Sequence, residues 1–347
     1  MGVKKGWPDL CQSIGEALVT LTPSMLSTHA YVPGTTGVGK SCFMTHLKAS
    51  DLRRGISIVD LDGRGDSKNS SLELVARAGV PPEFVKIFDL REKDQPLGFN
   101  PLAWKGEPYF PVLGLIDAVA AEHEGLGVQT TEYMRNCLLV LAEAGAPITE
   151  LEAFFHIPAT RRRLLARVSA PALIEFWQRY DRLSPEKQSV LASPVLNKFG
   201  PLLATEGLRR MFGHPCPVDL GEHLRTPGSV TLISLAVDEL HSAGWMVGQI
   251  MLSSICREVF SQANLPESQR NPLRLYVDEF ENFNPQHFES ILAEGRRFKF
   301  SVVLAHQTLA QLTPKIRSMI LGNCGVKVVF RTSHQDAEIL NRDLTGV

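Results

Sequence analysis

Gly34-Thr35-Thr36-Gly37-Val38-Gly39-Lys40-Ser41 is the stretch from which the rest of this sequence is read. It matches the spacing G-x-x-x-x-G-K-[ST]. Glycine permits the turn and lets backbone N–H groups face phosphate oxygens. A short apolar run, His29–Pro33, leads into the loop, and a helical pattern from Cys42 to Lys48 follows it. Such a helix directs its N-terminus at the same anion. Lys40 is placed to reach the β- and γ-phosphates, and the Ser41 hydroxyl to ligate Mg²⁺. Strand, loop and helix in this order predict a nucleotide site, with ATP and Mg²⁺ as the expected occupants.

Outward from the loop, apolar runs recur with helical patterns between them. They are Ile56–Asp60, Val85–Asp89, Val230–Ala236, Leu273–Val277, Ser301–Ala305 and Val326–Phe330. Runs of this length separated by helices predict buried strands of a mostly parallel α/β sheet. Between about Pro108 and Glu222 no strand pattern stands out. Thr131–Ala144, Leu151–Phe155, Leu173–Tyr180 and Lys187–Phe199 read as helices instead. The expected organisation is a helical lead-in over 1–27, a first core part over 28–107, an all-helical insertion over 108–222 and a second core part over 223–347. Pro266 to Pro272 reads as a polar surface loop.

Composition narrows the class. The chain has 347 residues, 44% hydrophobic and 21% charged, which is globular and excludes collagen, coiled coil and a disordered tail. Lys and Arg number 36 against 37 Asp and Glu, so any contact with nucleic acid must be local. The six cysteines form no Cys-x-x-Cys pair and read as buried reduced thiols. No apolar run reaches the roughly 18–20 residues that span a bilayer, and the first stretch is broken by Glu16, Thr20, Thr22 and Pro23. A cytoplasmic protein is expected.

Leu273–Val277 ends in Asp278-Glu279. In enzymes with this phosphate loop an acid at such a strand end holds Mg²⁺. Asp278 takes that role, and Glu279 that of the general base acting on water. Ser301–Ala305 ends in His306-Gln307, where Gln307 is placed to sense the γ-phosphate or hold the lytic water. Upstream, Glu294-Gly295-Arg296-Arg297 offers an arginine for a neighbouring subunit's nucleotide. Asp62 beside Gly63 is a turn acid or a metal contact. Asn100 and Pro101 shape a loop. Trp177, with Phe176 and Tyr180, reads as helix core rather than a base-stacking platform. Arg161-Arg162-Arg163 and Arg209-Arg210 read as solvated basic surface, with DNA or partner contact the alternative.

These motifs, in this order, resemble the HerA–FtsK superfamily of ring-forming DNA motors, and within it the TraG/TraD-type coupling ATPases of conjugative type IV secretion. His29-Ala30-Tyr31-Val32, Asp60-Leu61-Asp62-Gly63, Gly98-Phe99-Asn100-Pro101-Leu102, Asp278-Glu279-Phe280, Gly295-Arg296-Arg297 and Ala305-His306-Gln307 carry the resemblance. It implies a RecA-like fold, a homo-hexamer with nucleotide between subunits, and DNA in a central channel without sequence preference. It also implies Arg296 as arginine finger, Arg297 being the competitor, and Gln307 as sensor. A relaxase or secretion-system partner is implied, met through the helical segment. Coupling proteins usually begin with transmembrane helices, which this chain lacks. Membrane attachment is therefore expected only through a missing segment or a partner. Two other readings stay open: a HerA-like ATPase working with a nuclease in DNA end processing or defence, and a nucleotide-gated scaffold.

Overall fold

The computed structural model describes residues 11–14, 17–65, 68–122, 125–283 and 285–345. Two short strands come first, β1 (Cys11–Ile14) and β2 (Ala17–Thr20), paired antiparallel with Cys11 opposite Thr20. The helical lead-in expected over 1–27 is therefore corrected. Its described part is a hairpin-like pair, and helix is confined to Pro23–Leu26. Ile14, Val19 and Thr20 are β-branched and favour extended backbone. Residues 1–10, 15 and 16 lie outside the described ones.

Each of the seven apolar runs expected as strands contributes one, though the last is shifted from Val326–Phe330 to Cys324–Lys327. The strands are β3 (His29–Pro33), β4 (Ser57–Asp62), β5 (Val85–Asp89), β6 (Val230–Ser234), β7 (Leu273–Asp278), β8 (Phe300–His306) and β9 (Cys324–Lys327). β6 stops short of its expected end because Ala236 turns into the left-handed region at φ 49°. The seven lie in one sheet in the order β5-β6-β4-β7-β8-β3-β9. β4 with β7, β7 with β8, β8 with β3 and β3 with β9 all pair in parallel.

The chain divides into two compact units. The first holds residues up to Lys86, Leu224–Ile233 and residues from Val259 onward. Its central strands are buried along almost their whole length, which is why they read as unbroken apolar runs. The helix Lys40–Arg53 is fixed to the sheet by two buried ion pairs. Lys48 donates to Asp60 of β4 at 2.6 Å, and Ser71 donates to the same carboxylate at 2.7 Å. Asp51 accepts from Arg274 at 3.1 Å and from Tyr276 at 2.6 Å, both on β7. Each buried charge is thus hydrogen-bonded as well as paired, the condition under which burial is tolerated.

The second unit is Ile87–His223 with Ser234–Glu258. Between Pro108 and Glu222 its described residues form only helices, 3-10 turns and loops. Trp177 is fully buried, its ring 4.6 Å from Phe154 in edge-to-face contact, so it is core. Arg161 departs from the expected solvated run. Its side chain is buried, pairs with Asp181, and donates to the carbonyls of Phe154 at 2.7 Å and Phe155 at 3.0 Å. Those carbonyls end the helix Leu151–His156 and have no partner within it. Asn100 accepts the Leu102 N–H at 3.0 Å, which shapes the Asn-Pro-Leu loop. Of the described cysteines, Cys137, Cys256 and Cys324 are buried free thiols, whereas Cys42 and Cys216 are exposed.

Candidate functional site

The phosphate loop leaves β3 and enters the helix Lys40–Arg53 through two left-handed glycines, Gly37 at φ +76° and Gly39 at φ +102°. Gly34 is required for a different reason: a Cβ there would lie 2.6 Å from the Cβ of Phe330. The first two amides of the loop are already engaged. Gly34 N–H donates to the His306 carbonyl at 3.2 Å, and Thr35 N–H to the Arg331 carbonyl at 2.9 Å. The Thr35 hydroxyl donates to that same carbonyl at 3.2 Å. Amides facing an anion therefore begin at Thr36. Lys40 is 8% exposed, and its Nζ donates to the carbonyls of Gly34 at 2.5 Å and Thr35 at 2.9 Å. The lysine is thus held over the loop with its charge turned inward, where phosphate oxygens can replace those carbonyls.

The loop opens on a cavity of about 530 Å³, within the range of small-molecule sites. Lys40, Ser41, Asp62, Asp278, Glu279 and Gln307 all line it. They come from four stretches of chain that the parallel sheet brings to the C-terminal ends of its strands. Ligands of open α/β sheets collect at this edge.

Asp278 is the last residue of β7. Burial raises its pKa above the usual carboxylate range, and its Oδ1 accepts the Glu279 N–H at 3.0 Å. A cation placed beside it would offset that desolvation. Among the described residues no group of three or more His, Cys, Asp or Glu could hold a metal by itself. The Ser41 hydroxyl and the Asp278 carboxylate fit Mg²⁺ nonetheless, because this ion commonly takes one or two protein ligands plus phosphate oxygens and water.

Glu279 adopts the left-handed conformation, φ 54° and ψ 43°, without being glycine. Backbone of this kind costs roughly 1–2 kcal/mol and concentrates at functional sites. The turn sends the chain away from β7 immediately after Asp278, so the two adjacent acids have different surroundings. The Glu279 carboxylate is 22% exposed and meets Arg64 at 3.3 Å. Asp62 accepts the Arg64 N–H at 3.1 Å, which shapes the turn that presents Arg64. Arg64 was not singled out in the sequence. Its signal is its place two residues after Asp62 in the acidic turn.

Gln307 follows β8 directly. His306 before it is buried and neutral, its pKa lowered to about 4 by burial, with the Tyr31 hydroxyl 3.3 Å from its Nδ1. Arg296 and Arg297 are not in this cavity. They are exposed residues of the 3-10 turn Gly295–Phe298, which precedes β8 and so sits at the opposite, N-terminal edge of the sheet. There they line a separate cleft of about 840 Å³ with Arg54, Arg270, Arg274 and Lys299.

Residues 272–342 match a family model described as the TraM recognition site of TraD and TraG. No curated protein matches the chain in a sequence search. Among solved structures, the plasmid coupling protein TrwB in complex with the GTP analogue GDPNP is similar at TM-score 0.59 and 18% identity, covering 94% of this chain and 75% of that one. TrwB with the ATP analogue ADPNP gives 0.61 at 17% identity, covering 92% and 74%. VirB4 of Thermoanaerobacter pseudethanolicus gives 0.62 at 14% identity, covering 97% and 87%. These likenesses establish the RecA-like α/β fold. With the family match over residues 272–342, they bear out the resemblance to TraG/TraD-type coupling proteins first read from the phosphate loop, the acidic strand end and the strand-end glutamine.

Proposed function

We propose that this chain is a Mg²⁺-dependent ATPase of the conjugative coupling type, working as a homo-hexameric ring that moves DNA. The observation that carries the reading is one cavity that gathers Lys40, Ser41, Asp278, Glu279 and Gln307 around a phosphate loop. TrwB has been solved with ADP and Mg²⁺ and with an ATP analogue, and the same ligands suit the donors here.

The geometry supports the following roles. The amides from Thr36 to Gly39 cradle the phosphates, and Lys40 exchanges its two carbonyl partners for the β- and γ-phosphates. Ser41 and Asp278 would hold Mg²⁺, which would supply positive charge against the phosphates. Glu279, partly exposed and paired with Arg64, takes the proton of the attacking water. Gln307 orients that water or senses the γ-phosphate. Arg296 lies at the far edge from Gln307, with β8 between them. Seven residues at about 3.3 Å each give roughly 20 Å, so Arg296 serves the nucleotide of a second copy and not its own. That supports catalysis between subunits.

The family match over 272–342 supports a relaxosome component as partner. The motor reading is tested by ATPase rate with and without single- and double-stranded DNA over a salt series, using an oligomer of verified size. The expected result is stimulation by DNA of unrelated sequences that falls steeply as salt rises, since phosphate contacts release counterions and carry little sequence information. No stimulation at low salt, together with no DNA binding in the presence of an ATP analogue, rejects the motor.

A further inference from the structure

The first two amides of the phosphate loop are held from outside it. Gly34 N–H is taken by the carbonyl of His306 and Thr35 N–H by that of Arg331. The two carbonyls belong to segments about 25 residues apart in sequence, one leaving β8 and the other following β9. Both segments then converge on one side chain. Oδ2 of Asp336 accepts the Leu309 N–H at 3.1 Å and the Thr332 hydroxyl at 3.3 Å. Leu309 is two residues beyond Gln307, and Thr332 is next to Arg331. Asp336 is 4% exposed and sits in the first turn of the helix His334–Thr345. Its own N–H donates to Ser333 Oγ at 3.2 Å, and the Ser333 carbonyl accepts the Ala337 N–H at 2.9 Å. The backbone of Asp336 is therefore fixed by its own helix turn, while its carboxylate joins the two segments.

We infer that Asp336 is a positioning residue. It fastens the Gln307 loop to the segment that clasps the phosphate loop, so that the γ-phosphate sensor and the phosphate cradle move as one body. The inference rests on the reading of Gln307 as a sensor. The physics is that of a buried carboxyl acceptor serving two donors on different segments. Removing it leaves the Leu309 N–H unsatisfied and frees both segments at once.

Two measurements test it in the full chain. Steady-state ATP hydrolysis should show Asp336→Ala with kcat about tenfold or more below wild type and KM within about threefold. Asp336→Asn retains an acceptor oxygen and should recover kcat to within about threefold of wild type. Hydrogen exchange should be faster in Asp336→Ala for peptides containing Thr35 and Leu309, and unchanged for Leu275–Val277 in the sheet core. Wild-type exchange at Thr35 and Leu309 in Asp336→Ala overturns the inference, as does wild-type kcat in Asp336→Ala when Gln307→Ala is slow. Exchange that rises equally in Leu275–Val277 also overturns it, by showing a general loosening. A Gln307→Ala variant with wild-type kcat counts against the sensor reading alone, and the exchange result then decides the fastening by itself. If Asp336→Ala does not fold, Thr332→Val cuts one of the two bonds. Unchanged exchange at Thr35 in that variant overturns the inference.

Discussion

The two edges of the parallel sheet differ in almost every property that matters for chemistry. At the C-terminal edge, a phosphate loop and four acids, Asp60, Asp62, Asp278 and Glu279, share one cavity with Lys40, Lys48 and Arg64. At the N-terminal edge, a cleft is lined by five arginines and Lys299 against one acid, Glu267. Each edge has a residue other than glycine in the left-handed region, Glu279 at φ 54° and Lys299 at φ 53°. In both cases the strained residue abuts the end of a central strand. In the proposed function, one edge binds and cleaves a nucleotide, and the exposed Arg296 and Arg297 of the other meet the nucleotide of a second copy. On that reading the two edges are complementary halves, which gives copies of the chain a physical reason to assemble edge to edge. Closed cyclic rings arise from such head-to-tail contacts.

The sharpest way to break this comparison is to disable the C-terminal edge. Lys40→Ala should lose most nucleotide affinity. Glu279→Gln should keep it, because Asp278 and the loop are untouched, while kcat falls by about 10²–10⁴-fold, the contribution of a positioned base. Nucleotide binding measured beside steady-state hydrolysis separates the two. Hydrolysis by Glu279→Gln at the wild-type rate means the base lies elsewhere.

The N-terminal edge is tested next. Arg296→Ala should bind ATP normally and hydrolyse it about 10³-fold more slowly, the lower end of what an arginine finger contributes. Mixed with Lys40→Ala chains it should regain part of the lost turnover, since each variant retains the edge that the other lacks. Arg297→Ala should lose less. Mixed assemblies with proven subunit exchange and no regained turnover would show that the two edges do not complete one another.

The difference between the edges also explains what could be read from the sequence. The phosphate loop is a local device: eight consecutive residues carry its geometry, and the strand and helix on either side were legible by pattern. Asp278, Glu279 and Gln307 were legible because a parallel sheet delivers strand ends to one edge, so an acid or a glutamine just after an apolar run has a foreseeable place. Arg64, Arg331 and Asp336 were not. Each meets the site through a contact more than 25 residues away in sequence, and no short-range pattern encodes it. Arg161 was misread for the opposite reason. A run of three arginines looks like solvated surface, yet one of the three caps the carbonyls that end a neighbouring helix. The lead-in was misread because its apolar residues fit a helix as well as a strand, and its β-branched residues favoured the strand.

The smallest expected effect concerns pH, where the two edges should respond with opposite sign. Next to the C-terminal edge, burial raises the pKa of Glu281 from 4.5 to about 7, and one of its carboxyl oxygens is buried without a hydrogen-bond partner. Between pH 4.5 and 7 the folded chain therefore keeps a proton that the unfolded chain has lost. Stability at this site is greatest in acid, falls as pH rises through that window, and is level above it. At the N-terminal edge, burial lowers the pKa of His29 from 6.5 to about 4, with the positive charges of Arg296 and Arg274 adding to the effect. Here the unfolded chain gains a proton that the folded chain refuses, so stability is full above pH 6.5 and is lost as pH falls towards 4. His29 Nδ1 accepts the Val302 N–H at 3.2 Å, which requires that nitrogen to be unprotonated and accounts for the preference. Urea midpoints measured from pH 4 to 8 should show Glu281→Gln with a shallower decline between 4.5 and 7. His29→Gln, whose carboxamide oxygen can accept the same N–H, should show a shallower loss below 6.5. Each variant should alter one limb of the profile and leave the other in place. If either flattens both limbs, or neither limb changes, then burial at the two edges is not what sets their opposite response to protons.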